Sequence, residues 1–262
     1  NLKIFHENEF RPENPSINPF PHILEKFFVK ELKITSIYRD VEEPDEEMLD
    51  KIEYIDLSYK NLTSIPSWIN KCKNLKFLDI SRNQIKELDL NSNSNSNLNL
   101  NETLLMLNCS HNKNLKLTNL SKFNKLKYLN ISSNDYNDED LVSIKNLDNL
   151  NILICSNNKI KYFLFNNNLV YLDSSYNYIK NVDLNLNLKL EYLYCNNNNI
   201  VEINFYINNI DYTKCQLKYL NCSDNKIKNL SEFPLYLKYL NCSKNEIEKL
   251  TKLHFSQCLL HL

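Results

Sequence analysis

The eleven residues Leu217–Ile227 read LKYLNCSDNKI, and the frame returns at Leu237–Ile247 as LKYLNCSKNEI. Written as L-x-x-L-x-(L/C)-x-x-N-x-(L/I), it also stacks on Ile52–Leu62, Leu75–Ile85, Leu104–Asn114, Leu126–Tyr136, Leu150–Ile160, Leu169–Ile179 and Leu190–Ile200. Successive copies start 23, 29, 22, 24, 19, 21, 27 and 20 residues apart. The ninth position is Lys60 in the first copy and then Asn83, Asn112, Asn134, Asn158, Asn177, Asn198, Asn225 and Asn245. The chain holds 46 Asn, yet the column is meaningful because the flanking Leu and Ile recur in step with it.

The pattern has a physical reading. L-x-L is a short strand of period two, so its apolar residues face a core and the x residues face out. One such coil cannot bury its own apolar edge, and stacked coils make a continuous core. Each fully buried Leu or Ile contributes roughly 1.5–3 kcal/mol. The ninth-position Asn turns inward where the strand bends, and its amide has both donors and acceptors for backbone groups. These eight Asn are expected to form a structural ladder without a catalytic role.

The motif resembles the leucine-rich-repeat family over residues 51–262. Leu217–Leu240 is also similar to the short repeats of some bacterial effectors, with only Pro234 of their two connecting prolines present. The resemblance implies an α/β-type solenoid of nine to ten repeats, a curved horseshoe. Its concave face would be a parallel β-sheet, and its convex side irregular, 3-10 or short-helical. Residues 1–20 hold Pro12, Pro15 and Pro19 and read as an extended arm. Residues 21–50 read as an N-terminal cap over the open end of the core. Two coils carry extra length, a low-complexity insert at 91–101 and a more apolar one at 201–216. The chain stops at LLHL, aligned with the start of another repeat, so the native protein is expected to continue.

Composition excludes several functions. There is no Gly and no Ala, and Arg is confined to Arg11, Arg39 and Arg82, as an AT-biased genome would produce. Without Gly no phosphate-cradling loop or dinucleotide fingerprint can form. Net charge is −1, and no uninterrupted apolar run is long enough to span a membrane. Five of the eight Cys (Cys109, Cys155, Cys195, Cys222, Cys242) fall at the inward sixth position, where thiols act as small hydrophobes. No C-x-x-C and no Cys-flanked terminal cap occurs, which favours reduced thiols and a cytoplasmic setting. Asn108, Asn130, Asn221 and Asn241 sit in N-x-S triplets on the strands, where glycans would obstruct the outer face. The five His show no metal-ligand spacing, so neither a metal nor another cofactor is expected.

Three columns point outward. The third position is Tyr54, Phe77, Met106, Tyr128, Ile152, Tyr171, Tyr192, Tyr219 and Tyr239, and the seventh is Ser except at Asn196. The fifth is Asp or Asn except at Ile154 and Tyr194. Exposed aromatics suit protein interfaces, since Tyr offers large area and a polar tip. The expected partner-binding set is Tyr128, Ile152, Ile154, Tyr171, Tyr176, Tyr192, Tyr194 and Tyr219. Six basic residues (Lys76, Arg82, Lys127, Lys218, Lys238, Lys244) meet six acidic ones (Glu53, Asp56, Asp79, Asp173, Glu191, Asp224), which is no track for phosphates. The sequence therefore predicts a monomeric, non-catalytic scaffold for a protein partner, binding neither nucleic acid nor membrane. The alternatives are the substrate-recognition region of a larger enzyme or complex, and a receptor ectodomain or pathogen effector.

Overall fold

The computed structural model describes residues 37–88, 90, 100–162, 166–185, 187–205, 215–231, 233–251 and 259–261. The chain divides into two compact units, Asn1–Thr35 and Ser36–Leu262, and every described residue belongs to the second. The arm at 1–20, the first part of the cap, the insert at 91–99 and most of the second insert lie outside the described residues.

Each of the nine motif copies supplies one three-residue strand. In chain order these are β2 (Tyr54–Asp56), β3 (Phe77–Asp79), β4 (Met106–Asn108), β5 (Tyr128–Asn130), β6 (Ile152–Ile154), β7 (Tyr171–Asp173), β9 (Tyr192–Tyr194), β11 (Tyr219–Asn221) and β13 (Tyr239–Asn241). With β1 (Ile37–Tyr38) and β15 (Leu259–His261) they form one 11-stranded parallel sheet in coil order. Register is kept position by position, so Tyr128 lies beside Ile152, Leu129 beside Leu153 and Asn130 beside Ile154. The fourth-position residues, Ile55 to Leu240, are fully buried and form the spine of the core. Residues 37–50 add β1 and a short helix, Glu46–Leu49. They are tied down by Trp68, whose ring meets Tyr38 edge-on at 5.3 Å and whose Nε1–H donates to the Val41 carbonyl at 2.9 Å.

The opposite side departs in part from expectation. Coils one to four have 3-10 turns there, at Ser67–Lys71, Leu100–Glu102, Leu120–Lys122 and Val142–Asn146. Just after the ninth-position Asn, coils six to nine carry a further short strand: β8 (Asn181–Asp183) pairs with β10 (Glu202–Asn204), and β12 (Asn229–Ser231) with β14 (Lys249–Thr251). An isolated parallel bridge between Glu87 and Lys116 stands at the same place in coils two and three.

The ninth-position Asn joins the coils. Asn83 donates Nδ2–H to the carbonyls of Ile80 at 2.9 Å and, one coil back, Leu57 at 2.8 Å. Its Oδ1 accepts the N–H groups of Lys60 at 3.0 Å and Leu62 at 2.9 Å. The cross-coil donation recurs at Asn112, Asn134, Asn158, Asn177, Asn198, Asn225 and Asn245. Each amide thus satisfies backbone groups that the bend would otherwise bury unpaired. The eighth residue of all nine copies, from Tyr59 through Lys244, is left-handed with φ between 54° and 58°. That conformation normally favours Gly, of which this chain has none.

Candidate functional site

The site is the outer face of the main sheet, built from the third, fifth and seventh positions. The fifth and seventh work as a pair. The carboxylate or amide oxygen of the fifth residue accepts the N–H of the seventh, at 3.1 Å for Asp56–Ser58, 3.0 Å for Asn130–Ser132 and 3.0 Å for Asp173–Ser175. The same bond occurs at Asp79–Ser81, Asn108–Ser110, Asn221–Ser223 and Asn241–Ser243. In most of them the Ser hydroxyl donates to that oxygen as well. This Asx turn ends the strand and launches the left-handed eighth residue. The signal lay in the sequence as Asp or Asn followed two residues later by Ser.

Only coils five and seven lack it, because Ile154 and Tyr194 have no acceptor to offer. Ser156 is served instead by the Asp173 carboxylate of the next coil. The turns also account for the N-x-S triplets. Asn108, Asn130 and Asn241 are buried and, like Asn221, hold the strand-end N–H with their side-chain oxygen.

The expectation that the third column is open to solvent is corrected. Tyr128, Ile152, Tyr171 and Tyr219 are buried, and so is Ile154 in the fifth column. Part of the reason is the ladder itself, since each side chain has its equivalent one strand spacing away on either side. Tyr171 lies 6.3 Å from Tyr192 and 5.5 Å from Tyr194, ring centre to ring centre. Tyr194 lies 5.0 Å from Tyr219, which stacks on Tyr239 at 4.1 Å with the planes 5° apart. Tyr192, Tyr194 and Tyr239 remain half-exposed, and Tyr176, on the loop beyond β7, is exposed. The structure therefore gathers seven of the eight candidates on one face, closes five of them, and sets Tyr176 at its rim.

Electrostatics on this face follow from burial. Desolvation lifts the Asp79 carboxyl to about 6 against hydrogen bonds from Ser81 and Asn108 that favour its ionised form. Asp173 is raised by the same cause, and burial pushes the phenols of Tyr171, Tyr194 and Tyr219 well above their ordinary value. Several strand charges are paired across coils: Lys76 with Glu53 at 2.7 Å, Lys218 with Glu191 at 3.0 Å and Lys244 with Asp224 at 3.3 Å. The cysteines of the sixth column are buried thiols whose ionisation is likewise pushed up by desolvation. Among the described residues no group of three or more His, Cys, Asp or Glu is placed to hold a metal ion. Nor is any described helix long and apolar enough to cross a membrane.

Residues 50–100 match the family of tandem leucine-rich repeats described as two copies. A leucine-rich repeat protein of Acanthamoeba polyphaga mimivirus is 30% identical over 132 residues, which is 45% of this chain and 31% of that protein. The fold is similar to an internalin, InlF, of Listeria monocytogenes, with TM-score 0.62 and 20% identity over 81% of this chain and 61% of that one. It is also similar to the functional domain of InlJ from the same organism, which includes a cysteine ladder: TM-score 0.54, 29% identity, 78% of this chain and 47% of that one. The chain thus spans less than two thirds of each of these three proteins.

Proposed function

We propose that this chain, whose sequence matches and fold are those of the leucine-rich-repeat proteins, is a non-catalytic, monomeric scaffold that binds a protein partner on the outer face of its sheet. The contact centres on Tyr192 and Tyr194, with Tyr176 at the rim. Tyr194 carries the reading. At its position seven other coils hold an Asp or Asn that closes the strand-end turn, and Tyr194 gives up that bond while staying half-exposed. Its ring packs against Tyr171 and Tyr219, and the part left exposed is free to be desolvated by a partner. Ile154 makes the same departure but is buried, so its role is packing.

The buried placement of the sixth-column thiols, as small core side chains, supports a reducing, cytoplasmic setting. The even balance of strand charges and their cross-coil pairing argue against nucleic acid as the partner. The test is affinity capture from the native cell with the wild type and a Tyr192→Ala/Tyr194→Ala double variant of equal melting temperature. A protein held by the first and lost by the second supports the reading. Identical captures from both would sink it.

A further inference from the structure

We infer that the lateral loop edge of coils two to six is a second interaction surface, suited to an acidic peptide segment with an apolar anchor. This surface adjoins the sheet face at Tyr176 and goes beyond the reading above, since its groove lies on the loop edge. After each strand the eighth and tenth residues point sideways, on either side of the inward ninth-position Asn. In coils two to five they line an open groove of about 660 Å³ that includes Gln84, Lys86, His111, Lys113, Asp135 and Asn157. The groove is cationic. Its carboxylate, Asp135, is already paired with Lys159 at 3.2 Å. Among the described residues Lys86 and Lys113 have no carboxylate partner, and Lys86 reaches over the Lys113 carbonyl at 3.4 Å.

The groove runs on into an aromatic patch. Asn157 at its end donates its backbone N–H to Ser175, beside Tyr176, which is the eighth residue of the next coil. Tyr176 and Tyr178 flank the inward Asn177 and are 57% and 51% exposed. Val201, 50% exposed, follows in coil seven, bonded through its N–H to the Lys180 carbonyl. Lysines without a carboxylate partner, with exposed aromatic residues further along the same edge, fit an extended partner that brings negative charge and one large apolar side chain together. The groove is lined by backbone-ordered loops, so an extended segment could be received without rearrangement.

The test uses fluorescence anisotropy on the 262-residue chain with three labelled probes. These are a decapeptide of Glu and Asp around one Phe, the same peptide with Lys for its acids, and a ten-nucleotide oligo-dT. The acidic peptide should bind at least tenfold more tightly than the basic one, and more weakly as salt rises. Lys86→Glu or Lys113→Glu should weaken it at least tenfold, and Tyr178→Ala about fivefold. Lys122→Glu, on the 3-10 turn of the opposite side, makes the same change of net charge and should leave affinity unchanged. Equal affinity for both peptides, or equal loss in Lys122→Glu, would overturn the inference. So would tighter binding of oligo-dT abolished by the groove variants, which would assign the groove to nucleic acid. Thermal melts of each variant separate these outcomes from unfolding.

Discussion

The side-chain oxygen of Asn158 accepts the backbone N–H groups of Asn134 at 3.1 Å and Tyr136 at 3.0 Å, so one amide closes the turn of the coil before its own. Its Nδ2–H groups donate in turn to the carbonyls of Ile131 and Cys155. A third donation goes to the Ser156 carbonyl, and Asn158→Ala removes all five bonds at a buried site. Each buried backbone group left unpaired costs roughly 1–3 kcal/mol, so a loss of about 3 kcal/mol or more is expected in urea titration. Asn245→Ala, at a half-exposed site, should cost distinctly less. Equal, small losses at both would mean that the ladder is ornamental.

Asp79 makes stability depend on pH. Its carboxyl is raised in the fold to about 6 from 3.8. Between those values the folded chain holds a proton that the unfolded chain has released. This proton therefore favours the fold below about pH 4, and its contribution is lost as pH rises towards about 6. Asp79→Asn should flatten that part of the profile, by on the order of 1–3 kcal/mol. Parallel profiles for the two proteins would show that Asp79 is not desolvated as described.

The left-handed eighth position gives a third expectation. Lys244 sits there at φ 54° with no structural demand for Lys, since its Asp224 partner is a surface pair. Lys244→Asn should raise stability by about 0.5–1 kcal/mol, because Asn tolerates this conformation better. Lys244→Val should lower it by about 1 kcal/mol or more, β-branching being the worst fit. A reversed order would contradict the assigned backbone.

Much of this architecture is legible in the sequence, because period and burial are coupled. Leu at the first and fourth positions and Asn at the ninth can meet their partners only in stacked coils. What the sequence does not reveal depends on spacing in three dimensions. Side chains on a parallel ladder cover one another, so Tyr128, Ile152, Ile154, Tyr171 and Tyr219 are buried at positions that period two assigns to the outside. The strands β8, β10, β12 and β14 were likewise hidden, since a single apolar residue between two polar ones is too short a pattern to mark a strand. The loop-edge groove draws its residues from four different coils, and no local motif joins them.

The buried cysteines should be chemically silent in the fold. Burial pushes the Cys72 thiol up to about 12 and the Cys242 thiol to about 11, so little thiolate exists at pH 8. Titration with an aromatic disulfide reagent should find the thiols of Cys72, Cys109, Cys155, Cys195, Cys215, Cys222 and Cys242 slow in native protein and fast after unfolding. Alkylation without reductant, read by intact mass, should then count all eight cysteines of the chain as free. A missing pair would argue for an oxidising compartment.

The most direct test of the proposed function is the dissociation constant of the captured partner, by calorimetry, for Tyr194→Ala and Tyr239→Ala. Both rings pack on Tyr219, so each change should cost a similar, modest stability of about 0.5–1.5 kcal/mol, and affinities are compared well below either melting temperature. Tyr194→Ala is expected to weaken binding about 30-fold or more, the equivalent of about 2 kcal/mol. Tyr239→Ala, two strands further along the sheet, should cost clearly less. Equal losses would spread the contact over the whole sheet, and an unchanged constant for Tyr194→Ala would contradict a partner on this face.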